Sequence, residues 1–211
     1  MTGASNAAVA RRADIIAEAA TLFDKVGYHK ASMSDLAEEV GTSKANLYHY
    51  FSSKDEILYW IHEEFINLLI DHHEQRLRTR MSNPQLLLEV MSDILELMET
   101  HRGHVRVFFE HHRELPPEQR EAMQRKRDRY LSDVHAVVVA GVERGEFTTN
   151  DTMLTTLAIF GMCNWAYQWF RREGPQRPRE LAYYFWEFIM LGMATPSERA
   201  RLGDAPLTQS D

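Results

Sequence analysis

The sequence predicts an all-α protein, and three observations carry that prediction. Apolar residues recur at helical spacing along the chain, beginning with Ile15, Ala19, Leu22, Phe23 and Val26. Ser, Gly and Pro stand where helices start and stop. The one ambiguous run, "VRVFFEHH" (105–112), finds no strand partner elsewhere and reads as helix. With 44% hydrophobic and 26% charged residues, the 211-residue chain calls for a packed core rather than long disorder.

The first helix spans about 11–26 and ends at Gly27, where a C-terminal glycine belongs. Ser34 precedes "DLAEEV", close to an N-cap with Asp35 and Glu38 in the first turn, and predicts a helix over 34–40. Thr42 or Ser43 caps a third helix, about 44–51. Ser52 or Ser53 caps a fourth, and Ser53 with Glu56 fits a capping box. That helix runs to about Arg78 with Ile57, Leu58, Ile61, Phe65, Leu68 and Leu69 in a stripe. Pro84 opens a helix over 85–100, and "HRGH" (101–104) breaks the pattern again. "LPPEQ" starts a helix that reaches about Arg144. Two more are expected over about 151–172 and 178–194, separated by "REGPQRP". The division is therefore a small unit over 1–54, a helical body over 55–195, and a frayed tail over 196–211.

Several functions are excluded by composition. Cys163 is the sole cysteine, so no intramolecular disulfide forms, and a reducing cytoplasm is expected. Residues 1–10 lack a secretory pattern. The apolar run 182–194 is too short for a bilayer and contains Glu187, so it needs another protein surface. Catalysis is not expected: Cys163 lies among apolar neighbours, and no phosphate loop or nucleophile elbow is present. His101, His104, His111 and His112, with Glu110 and Glu114, are interrupted by Gly103 and have no cysteine nearby, so no metal or cofactor is assigned.

The net charge of −7 is unevenly placed. Residues 1–54 carry six basic and six acidic side chains, leaving 18 of the 24 basic and 25 of the 31 acidic for the remainder. The overall net charge argues at first against a nucleic-acid partner; a nucleic-acid contact, if the chain makes one, belongs in the first quarter. Three short helices with Gly41-Thr-Ser-Lys44 between the second and third form a helix-turn-helix. The third would be the recognition helix. Leu47 and Phe51, four apart, face the core together. Asn46 suits adenine and Lys44 suits guanine, while Ala45 and Tyr48 can touch a thymine methyl. His49, Tyr50 and Lys54 are placed for phosphates, and Ser32 and Ser34 can donate to phosphate or base. Spacing alone leaves Tyr48 and Tyr50 open to a second reading as core aromatics.

"AAxLFxxxGYxxxSMSDLAxEVGTSKANLYHYFSSKDEIL", from Ala19 to Leu58 with x for unspecified residues, resembles the signature of the TetR family of bacterial transcriptional regulators. The resemblance implies base contacts at Ser34, Lys44, Ala45, Asn46 and Tyr48, and phosphate contacts at Ser32, His49, Tyr50 and Lys54. Only Arg11 and Arg12 offer basic charge before the first helix, so no long minor-groove arm is expected. It further implies a homodimer built on the last two helices. Here 181–193 is apolar almost all round and should be buried on all sides, and the preceding helix offers Leu154, Leu157, Gly161, Trp165 and Trp169.

The family's ligand-gated behaviour makes the body a candidate effector pocket. Candidate lining residues are Met91, Phe108, Phe109, His112, Met123 and Tyr130, then Met162, Trp165, Tyr167, Trp169, Phe170 and Arg171. "YQWFRREGP" (167–175) resembles a stretch common among TetR relatives that respond to acyl-CoA thioesters, and Arg171, Arg172, Arg177 and Arg179 could meet phosphates there. The expected function is a dimeric repressor released from a near-palindromic operator by a CoA thioester of fatty-acid or aromatic catabolism. The second reading is a repressor of a drug-efflux gene responding to hydrophobic drugs.

Overall fold

A computed structural model describes residues 2–192, with side chains from residue 7 onward. The helices are α1 (Thr2–Val26), α2 (Met33–Glu39), α3 (Lys44–Tyr50), α4 (Lys54–Leu77), α5 (Asn83–Thr100), α6 (Arg102–Glu110), α7 (Pro117–Glu143), α8 (Thr152–Trp165) and α9 (Pro178–Leu191). Single 3-10 turns follow α6 (His112–Glu114) and α8 (Ala166–Gln168), and no strand occurs among the described residues.

Four boundaries differ from expectation. Helix α1 begins at Thr2 rather than near Arg11, because "SNAAVA" favours helix and nothing in it stops one. The N-cap of α2 is Ser32, not Ser34. The Ser32 hydroxyl accepts from the Ser34 and Asp35 N–H groups, and the Asp35 carboxylate accepts from the Ser32 N–H at 2.8 Å. Helix α5 starts at Asn83 instead of 85, since Ser82 and Gln85 close a capping box. Helix α8 stops at Trp165 rather than 172; the wind tightens, and the Ala166 carbonyl accepts from both Trp169 and Phe170. Ser53 does cap α4, accepting from the Glu56 N–H. The Glu56 carboxylate, however, reaches back to Ser52 rather than Ser53, at 2.7 Å, and there it also meets Arg12 at 3.2 Å. The tail 196–211 and the last residues of the body lie outside the described residues.

One continuous core joins the small unit to the body. Helix α1 packs on α4 and α6, and α4 continues between α5, α6 and α7. "HRGH" does end α5, at His101, but α6 begins at the next residue and carries Gly103 inside it. Gly103 is a packing residue rather than a breaker. A Cβ there would lie 2.7 Å from the carbonyl carbon and oxygen of Ala20, so the backbones of α1 and α6 touch.

The far side is different. Helix α9 packs along α5, burying Leu181 and Ala182. It leaves Tyr184 at 62% and Leu191 at 57% exposure, with Tyr183 and Phe188 also exposed. Helix α8 likewise leaves Leu154 and Trp165 exposed. The expectation that 181–193 is buried all round is not met within one chain, because α5 supplies only one of the walls it would need.

Gly103→Ala should lower the unfolding free energy by about 1–3 kcal/mol, since backbone has to move to admit the methyl. Urea denaturation reads this directly. An unchanged midpoint would contradict the close crossing of α1 and α6.

Candidate nucleic-acid interface and effector chamber

The α2–α3 turn is set by backbone. Gly41 has φ +66°, and the Thr42 N–H closes onto the Ala37 carbonyl at 2.8 Å. Ser43 then caps α3 by accepting from the Asn46 N–H. Leu47 and Phe51 are buried, which fixes the roll of α3. Lys44, Ala45, Asn46, Tyr48 and His49 consequently face solvent, and Tyr50 is half-buried against the core. Thr42 orients the Asn46 carboxamide by accepting from its Nδ2 at 2.7 Å. Ser34 is exposed in the first turn of α2.

Two of the nine predicted contact residues have other work. The Ser32 hydroxyl is engaged in capping and also donates to Asp35. The Lys54 ammonium donates to the carbonyls of Tyr28 at 2.8 Å and Ala31 at 3.0 Å, and sits 4.3 Å from the Tyr28 ring centre. Two of the three N–H donors of Lys54 are thus engaged by backbone: the turn after α1 leaves two carbonyls without helical partners, and Lys54 takes them. The basic pair ahead of α2 is engaged too. Arg11 donates to the Val40 carbonyl, and Arg12 lies over Phe51 and Trp60 beside Glu56.

Tyr28 is the centre of this joint. Its phenol is hydrogen-bonded to the Asp55 carboxylate, and its ring meets Phe23 edge-on at 5.2 Å. Burial, with Asp55 adding to it, pushes the phenol pKa well up, so it stays a donor. On its other side lie His29, paired with Glu114 at 3.1 Å, and the His111 ring. The start of α4 and the end of α6 are thus both lashed to the turn after α1.

Further along α4, a chamber of about 320 Å³ opens among α4, α5, α6, α7 and α8. Its apolar walls are Phe65, Ile66 and Leu69 of α4, Ile94 of α5, Phe108 and Phe109 of α6, and Leu157 and Phe160 of α8. Polar groups come from α7 (Gln124, Arg127, Asp128) and α8 (Asn164).

Of the predicted lining, Phe108, Phe109 and Tyr130 do face this chamber. Tyr167 backs it, stacked on Phe109 with centroids 5.0 Å apart. His112 is half-buried behind it, beside the Phe109 carbonyl. Met91 and Met123 are plain core, and Met162 is half-buried away from the chamber. Trp165 lies within α8 on the same exposed face as Leu154 and Leu157, while Trp169 and Arg171 follow the end of that helix and are exposed as well. Phe170 borders a separate narrow notch with Arg102, Arg106 and Arg172. The predicted arginine cluster is divided. Arg179 is paired with Glu89 and Glu96, and Arg177 with Glu99, so both fasten the start of α9 to α5.

Arg127 was missed, though a signal existed. Met123, Arg127, Tyr130 and Val134 fall on one face of α7, and a charge in such a stripe points inward. A wider cleft of about 520 Å³ lies near the α7–α8 connection, but threonines and Glu146 line much of it. Cys163 is fully buried, and desolvation pushes its thiol up to about 12, so no thiolate forms. The histidines disperse, His104 onto Glu64 and His111 onto Tyr28, and no three potential metal ligands gather among the described residues. No described helix is long and apolar enough to cross a membrane.

Residues 15–59 match the family described as bacterial regulatory proteins, tetR family, and 82–193 match the tetracyclin repressor-like C-terminal domain. The regulator PfmR from Thermus thermophilus has a similar structure, with TM-score 0.81 and 34% identity over 86% of this chain and 99% of that one. AibR, solved in complex with isovaleryl coenzyme A and operator DNA, has TM-score 0.76 and 22% identity over 85% and 98%. Among curated proteins, the transcriptional activator FasR of Mycolicibacterium smegmatis is 32% identical, over 47% of this chain and only 46% of its own length. The repressor KstR2 of Rhodococcus jostii is 22% identical over 88% and 92%.

Lys54→Met should cost about 1–3 kcal/mol of stability, because two carbonyls lose their donor. It should leave the salt dependence of DNA binding unchanged. A salt slope shallower by about one counterion would return Lys54 to the phosphate contacts.

Proposed function

Since the chain belongs to the TetR family of bacterial transcription regulators, we propose that it is a homodimeric repressor which holds a near-palindromic operator until an amphipathic CoA thioester fills the chamber. The observation that carries this reading is the double employment of α4. Lys54 and Asp55 at one end grip the joint that aims α2 and α3, and Phe65, Ile66 and Leu69 further on wall the chamber. A ligand that repositions α4 repositions the recognition helix.

The reading unit is 1–54 and the effector-binding and dimerising body 55–195. Lys44, Ala45, Asn46, Tyr48 and Ser34 read base edges, while His49 and Tyr50 fix register on phosphates. Ser32 and Lys54 support from behind. The exposed apolar faces of α8 and α9 close against their copies in a second chain. Gly161 faces open space and would let backbones approach there. Two recognition helices then stand about one DNA turn apart.

The thioester is supported by the size and apolar lining of the chamber, which suits an acyl group, and by the complex of AibR with isovaleryl coenzyme A. The adenosine end of the nucleotide would remain outside, where Arg171 and Arg172 are exposed.

Fluorescence anisotropy of labelled DNA from upstream of the gene tests the reading, with and without a panel of acyl- and aryl-CoA thioesters. The expected result is tight, salt-sensitive binding reversed by one thioester. Tyr48→Ala should weaken specific binding by about 1–3 kcal/mol without loss of fold. Binding at full strength by that variant, or binding strengthened rather than reversed by the thioester, would refute the assignment.

A further inference from the structure

We propose that Arg127 is the recognition point for an anionic oxygen carried by the effector into the chamber. The inference rests on the chamber being the effector's seat, as argued above, but not on the effector being a thioester.

Arg127 lines an otherwise largely apolar cavity. Its guanidinium lies 4.2 Å from the centre of the Phe108 ring, and one terminal nitrogen donates to the Phe108 carbonyl at 3.3 Å. Its Nε is buried and has no hydrogen-bond partner. Among the described residues no carboxylate forms an ion pair with it. Its neighbours on α7 are provided for: Lys126 holds Glu63, and Arg129 holds Glu74. Asp128, the nearest candidate, accepts from Gln124 at 2.7 Å.

A guanidinium withdrawn from water without a counter-charge is costly, and the protein gains by supplying one. Desolvation accordingly pulls the pKa of Arg127 below that of an ordinary arginine, although it remains a cation. Asp128 is the one carboxylate in the chamber lining, and it acts on Arg127 through space without forming an ion pair with it. His62 and His112 both have pKa values lowered, chiefly by desolvation, with Arg127 opposing their protonation. The remaining edge of the fork suits two oxygens of a carboxylate or phosphate. Those oxygens can come from a free acid or from the phosphates of a thioester, and the experiment separates these sources.

Calorimetric titration would use matched series of eight to sixteen carbons as alcohol, carboxylic acid and CoA thioester, against the wild type, Arg127→Leu and Arg127→Lys. In the wild type the best anion should bind at least about tenfold more tightly than the alcohol of equal length. Arg127→Leu should erase that preference while still binding the alcohol, and Arg127→Lys should retain part of it. The melting temperature of Arg127→Leu should change little, since removal of a largely desolvated charge with no carboxylate partner offsets the lost bond to the Phe108 carbonyl. An anion bound equally well by Arg127→Leu, or an alcohol bound by the wild type as tightly as the acid, overturns the proposal. Binding of the acid but not the thioester upholds Arg127 and removes the thioester reading. Binding of the thioester unaltered by Arg127→Leu does the reverse. No binding in any series removes both.

Discussion

Two backbone carbonyls, those of Tyr28 and Ala31, set the terms for the small unit. The chain leaves α1 through a glycine turn, and these acceptors have no place in a helix. Buried acceptors need donors. Lys54 supplies them from the first residue of α4, and Asp55 beside it takes the Tyr28 phenol. One turn is therefore bound to one helix end. With Leu47 and Phe51 buried, α3 has a single available roll, and the polar face it presents follows from that.

The same helix then leads away into the body, where its apolar stripe meets α6, α7 and the chamber. Close-packed interiors transmit displacement, because side chains have few alternative arrangements. The contact of α1 with α6 at Gly103, and the His29–Glu114 pair, give the body a second hold on the small unit. On the proposed function, a change of chamber occupancy would act at two points on one joint. The apolar faces of α8 and α9 stand opposite, where a second copy would fix how far apart two such joints can be.

Much of this was legible in the sequence. The helix-turn-helix rested on strong local signals: Gly27, Gly41, the serine caps, and the spacing of Leu47 and Phe51. Those are contacts within a few residues, which sequence reports well. The backbone bonds of Lys54 were not legible because its partners lie more than twenty residues away; from sequence it was one more base near a helix start. The chamber was half-read for a related reason. Residues such as Met91, Phe108 and Met123 look alike as apolar letters, and only packing decides which of them border space. Trp169 lies beyond the end of α8, which was drawn seven residues too long, and Trp165 sits on the outward face of α8 that the sequence also offered to a second copy. Arg127 lies among charged residues, yet the residues four before and three after it are apolar or aromatic, which is the signal that it turns inward.

The central claim is that chamber and recognition helix share α4, so occupancy of either must be felt at the other. Linkage makes this reciprocal: if effector weakens operator binding by some factor, operator must weaken effector binding by the same factor. The most direct test is effector affinity measured by calorimetry on the free dimer and on the dimer saturated with operator. The account predicts weaker binding to the complex by a matching factor, on the order of 5–150-fold. Equal affinity for free and DNA-bound protein would contradict it.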